Sequence, residues 1–373
     1  MAMPQTRSAA PILRIILAIF LCSLAGCTHS PGASESPTPD LSVRPELHLP
    51  GLLRLRSLDQ LVADKYNSRF LFLSAVIRGQ SAASAPQLLI THDRTLYTVG
   101  IDDSALHPAP WSECRDDLGT VAVDPTLTWL ACYDSIRTVK FFALDETQAA
   151  PVAERKTDPV WAWPIWGPSA QQLTFHTHAR TCEIQLVTAG EQFTTLTPTA
   201  TLRFPEFDVT DPPQGGCNLF VDQWTPDGSA LDMDGPYGQN MSTRTLYTLS
   251  RATLQTLLAG ASTSGIPPVI TITKGMLTDL GTMRLPVAWN PSGKTLTAMS
   301  LNGKTIMTID AKTGEQRPLL DLSAQLQFPE VCSVLWTPVG GALVIRLCSG
   351  AGDIGSPPPD QIYVYTPPVT PTE

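Results

Sequence analysis

Charged residues are scarce in this chain of 373 residues, at 16% of the total, and acidic residues outnumber basic ones by 34 to 25. The formal charge of −9 argues against a general role in binding nucleic acid or another polyanion. The low charge also disfavours a helical bundle or coiled coil, and the 34 prolines and 25 glycines point the same way. Apolar residues make up 43%, which is enough to exclude intrinsic disorder for most of the length.

Several motifs that would carry chemistry are missing too. The sequence has no P-loop, no H-E-x-x-H and no G-x-S-x-G. C-x-x-C is absent, which disfavours a zinc site. His176 and His178 lie two apart on a predicted strand and could ligate a metal, but we interpret them as surface histidines. We therefore expect no cofactor, no resident metal and no catalytic residue.

The N-terminus has the features of an export signal. Arg7 and Arg14 precede an apolar run of 11 residues, Ile15–Ala25, which is too short for a bilayer span of about 20 residues but fits a signal core. The run ends in Leu-Ala-Gly-Cys27, which resembles a bacterial lipobox. That resemblance implies cleavage before Cys27 and lipid attachment to its thiol; the alternative is an ordinary signal peptide with an incidental cysteine.

These features divide the N-terminal region and predict a location. Residues 1–26 are a lipoprotein signal peptide, and residues 27–47 are a tether rich in Ser, Thr and Pro. We expect the protein to be anchored on the extracytoplasmic side of a bacterial membrane, either the outer membrane or the outer face of the cell membrane.

A short pattern recurs through the rest of the chain. It consists of a tryptophan, a proline two residues later, a turn, and a leucine that opens an apolar strand. Full copies begin at Trp166, Trp224, Trp289 and Trp336, and a degenerate copy begins at Val123. Proline and the Asp, Ser or Gly residues after it favour a hairpin turn between two strands.

Additional strands complete each repeat. Arg94–Val99 closely echoes Arg244–Leu249 and marks another repeat upstream, whose first strand we predict at Arg69–Ile77. Thr245–Leu249 is followed by a second predicted strand, Leu254–Leu258. Four-stranded repeats at such spacing are typical of a β-propeller. We predict an all-β fold with six four-stranded blades; seven blades remain an alternative.

The repeats resemble those of TolB-like propellers over about residues 48–366, with a Pro/Thr tail at 367–373. The resemblance implies the fold and says almost nothing about function. The last blade lacks a fourth strand, and the alternating run Leu52–Ser57 is predicted to supply it and close the ring.

The propeller interpretation narrows the disulfide pairing. Cys22 lies in the signal and Cys27 is predicted to carry lipid, which leaves six cysteines in an exported chain. The repeat geometry favours three pairs, with free buried thiols as the alternative: Cys114–Cys132, Cys182–Cys217 and Cys332–Cys348.

Ligand contacts are predicted on the face that carries the long insertions. Strand order places the W-x-P turns on one face and the inter-blade loops on the other, where Ala200–Gly216, Asp232–Ser242, Ala259–Arg284 and Ser349–Asp360 fall. We expect the W-x-P face to be a scaffold, although neutral drift would also lengthen loops. The candidate ligand residues are Trp161, Trp163, Asp208, Asp211, Asp232, Asp234 and Tyr237.

These features favour a binding or scaffold module for a protein, peptide or glycan ligand, without enzymatic activity. One alternative is a structural subunit of an envelope complex. The other is a propeller enzyme, glycoside-active or lyase-type, with acidic residues at the channel mouth. Candidates for that role are Asp116, Asp117, Asp208 and Asp211.

Overall fold

A computed structural model describes most of the chain from residue 46 onward. The described residues are 46–62, 72–77, 85–114, 121–133, 138–144, 150–156, 161–177, 181–209, 216–237, 243–261, 265–323, 330–338, 341–348 and 360–368. Cys27 and the predicted signal and tether residues up to 45 lie outside them. Within these ranges no helix is long and apolar enough to cross a membrane.

Strands dominate the described residues. The first half of the chain holds β1 (Leu52–Arg54), α1 (Asp59–Val62), β2 (Phe72–Ile77), β3 (Gln87–His92), β4 (Thr95–Gly100), β5 (His107–Pro108), β6 (Val121–Val123), β7 (Trp129–Tyr133), β8 (Thr138–Ala143), β9 (Ala153–Lys156), β10 (Trp161–Trp166), β11 (Gln172–Thr177), β12 (Glu183–Ala189) and β13 (Leu196–Arg203). The second half holds β14 (Asp208–Val209), β15 (Gly216–Cys217), β16 (Phe220–Trp224), β17 (Ala230–Tyr237), β18 (Thr243–Ser250), α2 (Arg251–Gly260), β19 (Val269–Thr271), β20 (Thr278–Trp289), β21 (Thr295–Met299), β22 (Thr305–Asp310), β23 (Gln316–Asp321), β24 (Glu330–Trp336), β25 (Leu343–Cys348) and β26 (Gln361–Tyr365).

The strands form antiparallel four-stranded groups in chain order, as expected for a propeller. Within the described residues we number these groups blades 1 to 6: β2–β5, β6–β9, β10–β13, β16–β18 with the first half of β20, the second half of β20 with β21–β23, and β24–β26 with β1. The all-β propeller fold is therefore confirmed.

The predicted closure by an N-terminal strand is also confirmed. β1 pairs antiparallel with β26, with Leu52 opposite Tyr365 and Arg54 opposite Tyr363. The backbone N–H of Leu47 donates to the Tyr363 hydroxyl at 3.0 Å, and Leu47 is buried beside the last blade. The last blade has three strands from the C-terminal part of the chain, and β1 from the N-terminal part supplies its fourth strand.

The tryptophan of the W-x-P motif donates a hydrogen bond to the preceding blade, and we call this contact the inter-blade lock. The indole N–H of Trp224 donates to Thr174 Oγ1 at 3.1 Å, and that of Trp336 donates to Thr297 Oγ1 at 2.9 Å. In both cases the acceptor is the residue directly after the motif leucine of the preceding blade. The turn itself needs glycine at Gly228, where φ is +67° and a Cβ would lie 2.6 Å from Pro168 Cβ.

The interfaces between blades hold the apolar core. Blades 2 and 3 share an aromatic cluster in which Phe141 stacks on Phe193, with ring centroids 4.2 Å apart, and Trp166 packs edge-on against both. Further clusters of buried Leu, Ile and Val side chains join the other neighbouring blades. Burial between blades is the main stabilising contribution in such a ring.

Among the described residues, six cysteines form three disulfides, in the pairs that the repeat geometry favours. These are Cys114–Cys132, Cys182–Cys217 and Cys332–Cys348, with Cα–Cα distances of 5.6, 4.7 and 5.9 Å. All three lie toward the inter-blade loops, because they involve the ends of second strands or the connections after them. Three disulfides indicate an oxidising, extracytoplasmic environment.

One predicted strand is wrong. Leu254–Leu258 is not a strand but part of α2, which Ser250 caps through a hydrogen bond from the Thr253 N–H to its Oγ at 3.1 Å. Leu254, Leu257 and Leu258 recur at helical spacing and pack on the core of blades 3 and 4. The outer strand of blade 4 is instead the first half of β20, which continues through a cis Leu285–Pro286 bond into blade 5.

The predicted insertions are also partly wrong. Ala200–Arg203 belongs to β13 and Asp232–Tyr237 belongs to β17, so neither stretch is a loop. Within Ala259–Arg284, β19 adds a parallel fifth strand beside β13 and β20 begins at Thr278. Ser349–Asp360 lies outside the described residues except for Asp360, which is buried.

Candidate binding site in the central cavity

A cavity of about 650 Å³ lies on the propeller axis. Residues from the first strand of every numbered blade line it, and so do prolines from the W-x-P turns, among them Pro226, Pro291 and Pro338. The cavity therefore extends to the W-x-P end of the channel. A volume of this size is within the usual range for small-ligand pockets, about 300–1,000 Å³.

The lining is mostly apolar. Valine, alanine and proline side chains form most of it, together with the four motif tryptophans, and its charged side chains within the described part of the chain are Asp124 and Asp222. No lysine or arginine is among these lining residues. The site therefore has the character of an apolar pocket with two acidic side chains.

Asp124 is fully engaged in the turn that follows β6. Its Oδ1 accepts from the backbone N–H groups of Thr128 and Trp129 at 2.7 and 2.6 Å, and its Oδ2 accepts from the Thr126 N–H at 2.9 Å and from the Thr126 hydroxyl. The side chain is buried. Asp124 is thus a structural residue of the cavity wall.

Asp222 is placed differently. The β16–β17 register breaks between Val221 and Gln223, so Asp222 is the extra residue of a β-bulge, a device that redirects a side chain. The side chain is exposed in the cavity, and it has no hydrogen-bond or ion-pair partner among the described residues. Asp222 is therefore the accessible carboxylate of the lining.

Two further carboxylates lie behind Asp222 on β17. Asp232 Oδ2 accepts from the indole N–H of Trp289 at 2.8 Å, while its Oδ1 is buried without a hydrogen-bond partner. Asp234 Oδ2 forms an ion pair with Arg244, and its Oδ1 is likewise buried without a partner. Asp232 and Asp234 are 1% and 2% exposed, so they belong to the interior of blade 4.

The electrostatics of the three aspartates are coupled. Although Asp222 is accessible from the cavity, protein surrounds it, and this desolvation raises its pKa well above the ordinary value; the charges of Asp234 and Asp232 add to the rise, while Arg244 opposes it. Burial raises the pKa of Asp232 to about 7, despite the hydrogen bond from Trp289. Burial also raises the pKa of Asp234, against the opposing effect of Arg244. The three titrations are therefore linked, and each carboxyl keeps its proton to a higher pH than an exposed aspartate does.

The structure corrects the predicted roles of several residues. Asp232 and Asp234 are not loop acids, since they lie buried in a strand. Asp208 is not a free acid at a channel mouth: its Oδ1 accepts the Cys182 N–H at 2.7 Å and its Oδ2 lies 3.8 Å from Arg203.

His176 is not a surface histidine. It is 8% exposed, and its Nε2 accepts the backbone N–H of Val221 at 2.8 Å, which occupies one of the two ring nitrogens that can bind a metal. No group of three or more metal-ligating side chains comes together within the described ranges.

Other candidates cannot be placed in the same way. Trp161 and Trp163 lie on β10 and Tyr237 lies at the end of β17, but their side chains are outside the described part of the structure. The positions that lie outside the described residues altogether are Asp116, Asp117, His178 and Asp211.

Sequence reasoning missed Asp222, although one signal pointed to its neighbour. The residue after the motif leucine is Thr174 in blade 3 and Thr297 in blade 5, and each accepts a tryptophan N–H from the next blade. Asp232 occupies the same position in blade 4. Aligning the repeats would have marked this carboxylate as exceptional and drawn attention to its surroundings.

Comparison with known proteins yields similarity in structure only. No family model matches the sequence, and no curated protein matches it. Similar solved structures include oligogalacturonate lyase from Vibrio parahaemolyticus, at a TM-score of 0.44 and 11% identity, covering 80% of this chain and 90% of that one. A chain of the mitotic checkpoint complex scores 0.47 at 11% identity, covering 90% and 99%. The WD40 repeats of RRP9 score 0.47 at 10% identity, covering 85% and 98%.

Proposed function

We propose that this chain is a lipid-anchored binding module of a bacterial cell envelope, which holds a protein or peptide ligand at its central cavity and performs no catalysis. The observation that carries the proposal is the cavity itself: an apolar pocket of about 650 Å³, bordered by the W-x-P turns, with one accessible carboxylate. Such a pocket suits a protruding side chain or chain end better than a flat protein surface.

Two observations on cysteines support the proposed location. The short apolar run before Leu-Ala-Gly-Cys27 resembles a lipoprotein signal, and the three disulfides fit the oxidising compartment to which such a signal leads. Replacing Cys27 with serine should move the protein from the membrane fraction to the soluble fraction or leave it unprocessed. A wild-type protein that is soluble and carries no lipid label would contradict the anchor.

Binding is favoured over catalysis by the placement of the acidic groups. Asp232 and Asp234 carry the buried carboxylates of the cluster, and neither is exposed enough to touch a substrate. Among the described residues that line the cavity, Asp124 is hydrogen-bonded within its own turn and Asp222 is the accessible carboxylate, whereas acid–base hydrolysis of a glycoside needs two carboxyl groups beside the reacting bond. A single accessible carboxylate in an apolar pocket is suited to recognising a ligand of opposite charge.

Site-specific photo-crosslinking in intact envelopes tests the proposed binding face. The crosslinking amino acid is placed in the full-length protein at Pro291, which lines the cavity, or at Leu301, which is 67% exposed at the opposite end of the same blade. We expect a discrete adduct from position 291 and none from position 301. An adduct from position 301 alone, or no adduct from either, would overturn the proposal.

A further inference from the structure

We propose that the cavity receives an alkylammonium group, carried by a lysine side chain or by a small diamine, and that Asp222 is the anionic group that binds it. This inference rests on the proposed function, because it takes the cavity as the ligand site. It adds the chemical class of the ligand and the residue that selects it.

The first observation is that Asp222 has no structural task of its own. In the other acid of the lining, Asp124, both carboxylate oxygens accept hydrogen bonds from backbone N–H groups of its own turn. Asp222 projects from a bulge into the cavity and has no hydrogen-bond or ion-pair partner among the described residues. A carboxylate that faces the cavity and uses neither oxygen within the protein is available to a ligand that carries hydrogen-bond donors or positive charge.

The second observation comes from the buried carboxylates behind it. Asp232 and Asp234 are almost fully buried, each has an oxygen without a hydrogen bond, and the charges of both act on Asp222. Within the described part of the chain, Arg244 is the cation beside this group, since it forms an ion pair with Asp234 and opposes the rise in the pKa of Asp222. The neighbouring acids that hold a proton on Asp222 to higher pH also favour any other cation beside it, so an ammonium group can take the place of that proton.

The lining decides which kind of cation fits. A metal ion would need several oxygen or nitrogen ligands together, and no suitable group of three occurs in the described residues. The cavity lining is instead mostly apolar, and it includes Val221, Val287 and the motif tryptophans Trp224 and Trp289. An ammonium on an alkyl stem matches this arrangement, because the methylene groups contact the apolar walls while the charge reaches the carboxylate.

The test measures binding of simple probes to the full-length, detergent-solubilised protein. n-Butylammonium and 1,5-pentanediammonium are titrated by calorimetry or by chemical-shift change, with 1-butanol as the neutral probe of similar shape. A peptide with one central lysine is compared with the same peptide carrying norleucine. The two kinds of amine separate a protein-borne lysine from a free diamine as the source of the ammonium group.

Matched variants identify the carboxylate. Asp222→Asn removes the proposed anion, and Asp279→Asn makes the same charge change at an exposed site on the outer strand of blade 4. We expect Asp222→Asn to weaken binding of the ammonium probes and the lysine peptide about tenfold or more, with butanol unaffected. Asp279→Asn should bind as the wild type does. A thermal melt of each variant, with Asp222→Ser as a second substitution, checks that the fold is retained.

The possible outcomes separate this inference from the proposed function. Equal binding of ammonium probes by Asp222→Asn and wild type, no binding of any ammonium probe, or binding of Mg²⁺ or Ca²⁺ in place of amines would each overturn the ammonium site. If one of these results is obtained and Asp222→Asn still gives the photo-crosslinked adduct at position 291, the cavity binds a ligand that is not an ammonium compound. The proposed function then stands and the ammonium inference is wrong. Loss of that adduct in Asp222→Asn, with probe binding weakened, supports both.

Discussion

Replacing Asp232 with threonine should stabilise the protein at neutral and alkaline pH. The equivalent positions in blades 3 and 5 are Thr174 and Thr297, and both accept the indole N–H of the next blade's tryptophan. A threonine at position 232 can accept from Trp289 in the same way. The substitution therefore keeps the lock between blades 4 and 5 and removes only the buried carboxylate.

The size of the effect follows from the pKa of Asp232, which burial raises from the ordinary value of 3.8 to about 7. The folded protein then binds more protons than the unfolded chain between about pH 4 and 7, so the free energy of unfolding falls as the pH rises through that window and is level above it. A shift of about three pKa units corresponds to about 4 kcal/mol. That figure is an upper bound for the gain at pH 8, because Asp222 and Asp234 share the titration.

Thermal and denaturant unfolding of wild type and Asp232→Thr at pH 5 and pH 8 measure the difference. A domain of this size gains roughly 1–2 °C in Tm per kcal/mol, so we expect Tm to rise by at most about 4–8 °C at pH 8 and by much less at pH 5. Thr297→Asp is the control, since it puts a carboxylate beneath Trp336 and should lower stability chiefly at pH 8. Equal pH dependence in wild type and Asp232→Thr would refute the reasoning.

Three other substitutions test the framework around the site. Trp336→Phe removes the indole donor to the blade 5 threonine and should cost about 1–2 kcal/mol by denaturant unfolding, independently of pH between 5 and 8. Asp360→Asn breaks the buried ion pair with Arg346, whose Nη2 lies 2.7 Å from the carboxylate, and should cost about 3 kcal/mol or more in the same assay. Replacing Cys182 and Cys217 together with alanine opens a cross-link spanning 35 residues; we expect a loss of about 2–4 kcal/mol, absent when both proteins are reduced.

The parts of the fold that the sequence predicted are those that repeat. Each copy of the W-x-P motif specifies a turn between two paired strands, with the motif tryptophan opposite the motif leucine, as in Trp224–Leu231 and Trp289–Leu296. Once the strands are placed, the ends of neighbouring strands fix which cysteines can meet. The same reasoning found β1, because a blade with three strands leaves an edge that an unpaired alternating segment can cover.

The parts that it could not predict are those that depart from the repeat. The helix Arg251–Gly260 follows a strand directly and comes at the point in the sequence where other blades have their fourth strand, so spacing along the sequence predicted a strand there. Its leucines at helical spacing were a usable signal. β20 serves two blades in one continuous strand of 12 residues, and a rule that separates blades by loops does not anticipate this.

The candidate site was hard to predict for a related reason. A β-bulge such as that at Asp222 arises from the pairing register of two strands, and alternation in a single strand does not reveal it. Asp232 and Asp234 were placed in a loop because acidic residues followed by glycine usually mark a turn. Asp232 is paired with Trp289, which lies 57 residues away in the next blade. Asp234 is paired with Arg244, which lies ten residues away on the next strand and meets it only once the two strands are in register.

Uniform turns and a specific ligand site are compatible on the same face. The W-x-P turns form the rim of the cavity, but its interior is lined by first strands, and these differ from blade to blade. Threonine is the residue that the inter-blade lock uses elsewhere, and it would satisfy Trp289 without the cost of burying a charge. A carboxylate at Asp232 therefore weakens the scaffold, and its field acts on the cavity through Asp222. An aspartate at position 232, in place of the threonine found in blades 3 and 5, is expected if the ligand recognises the acidic groups of the channel.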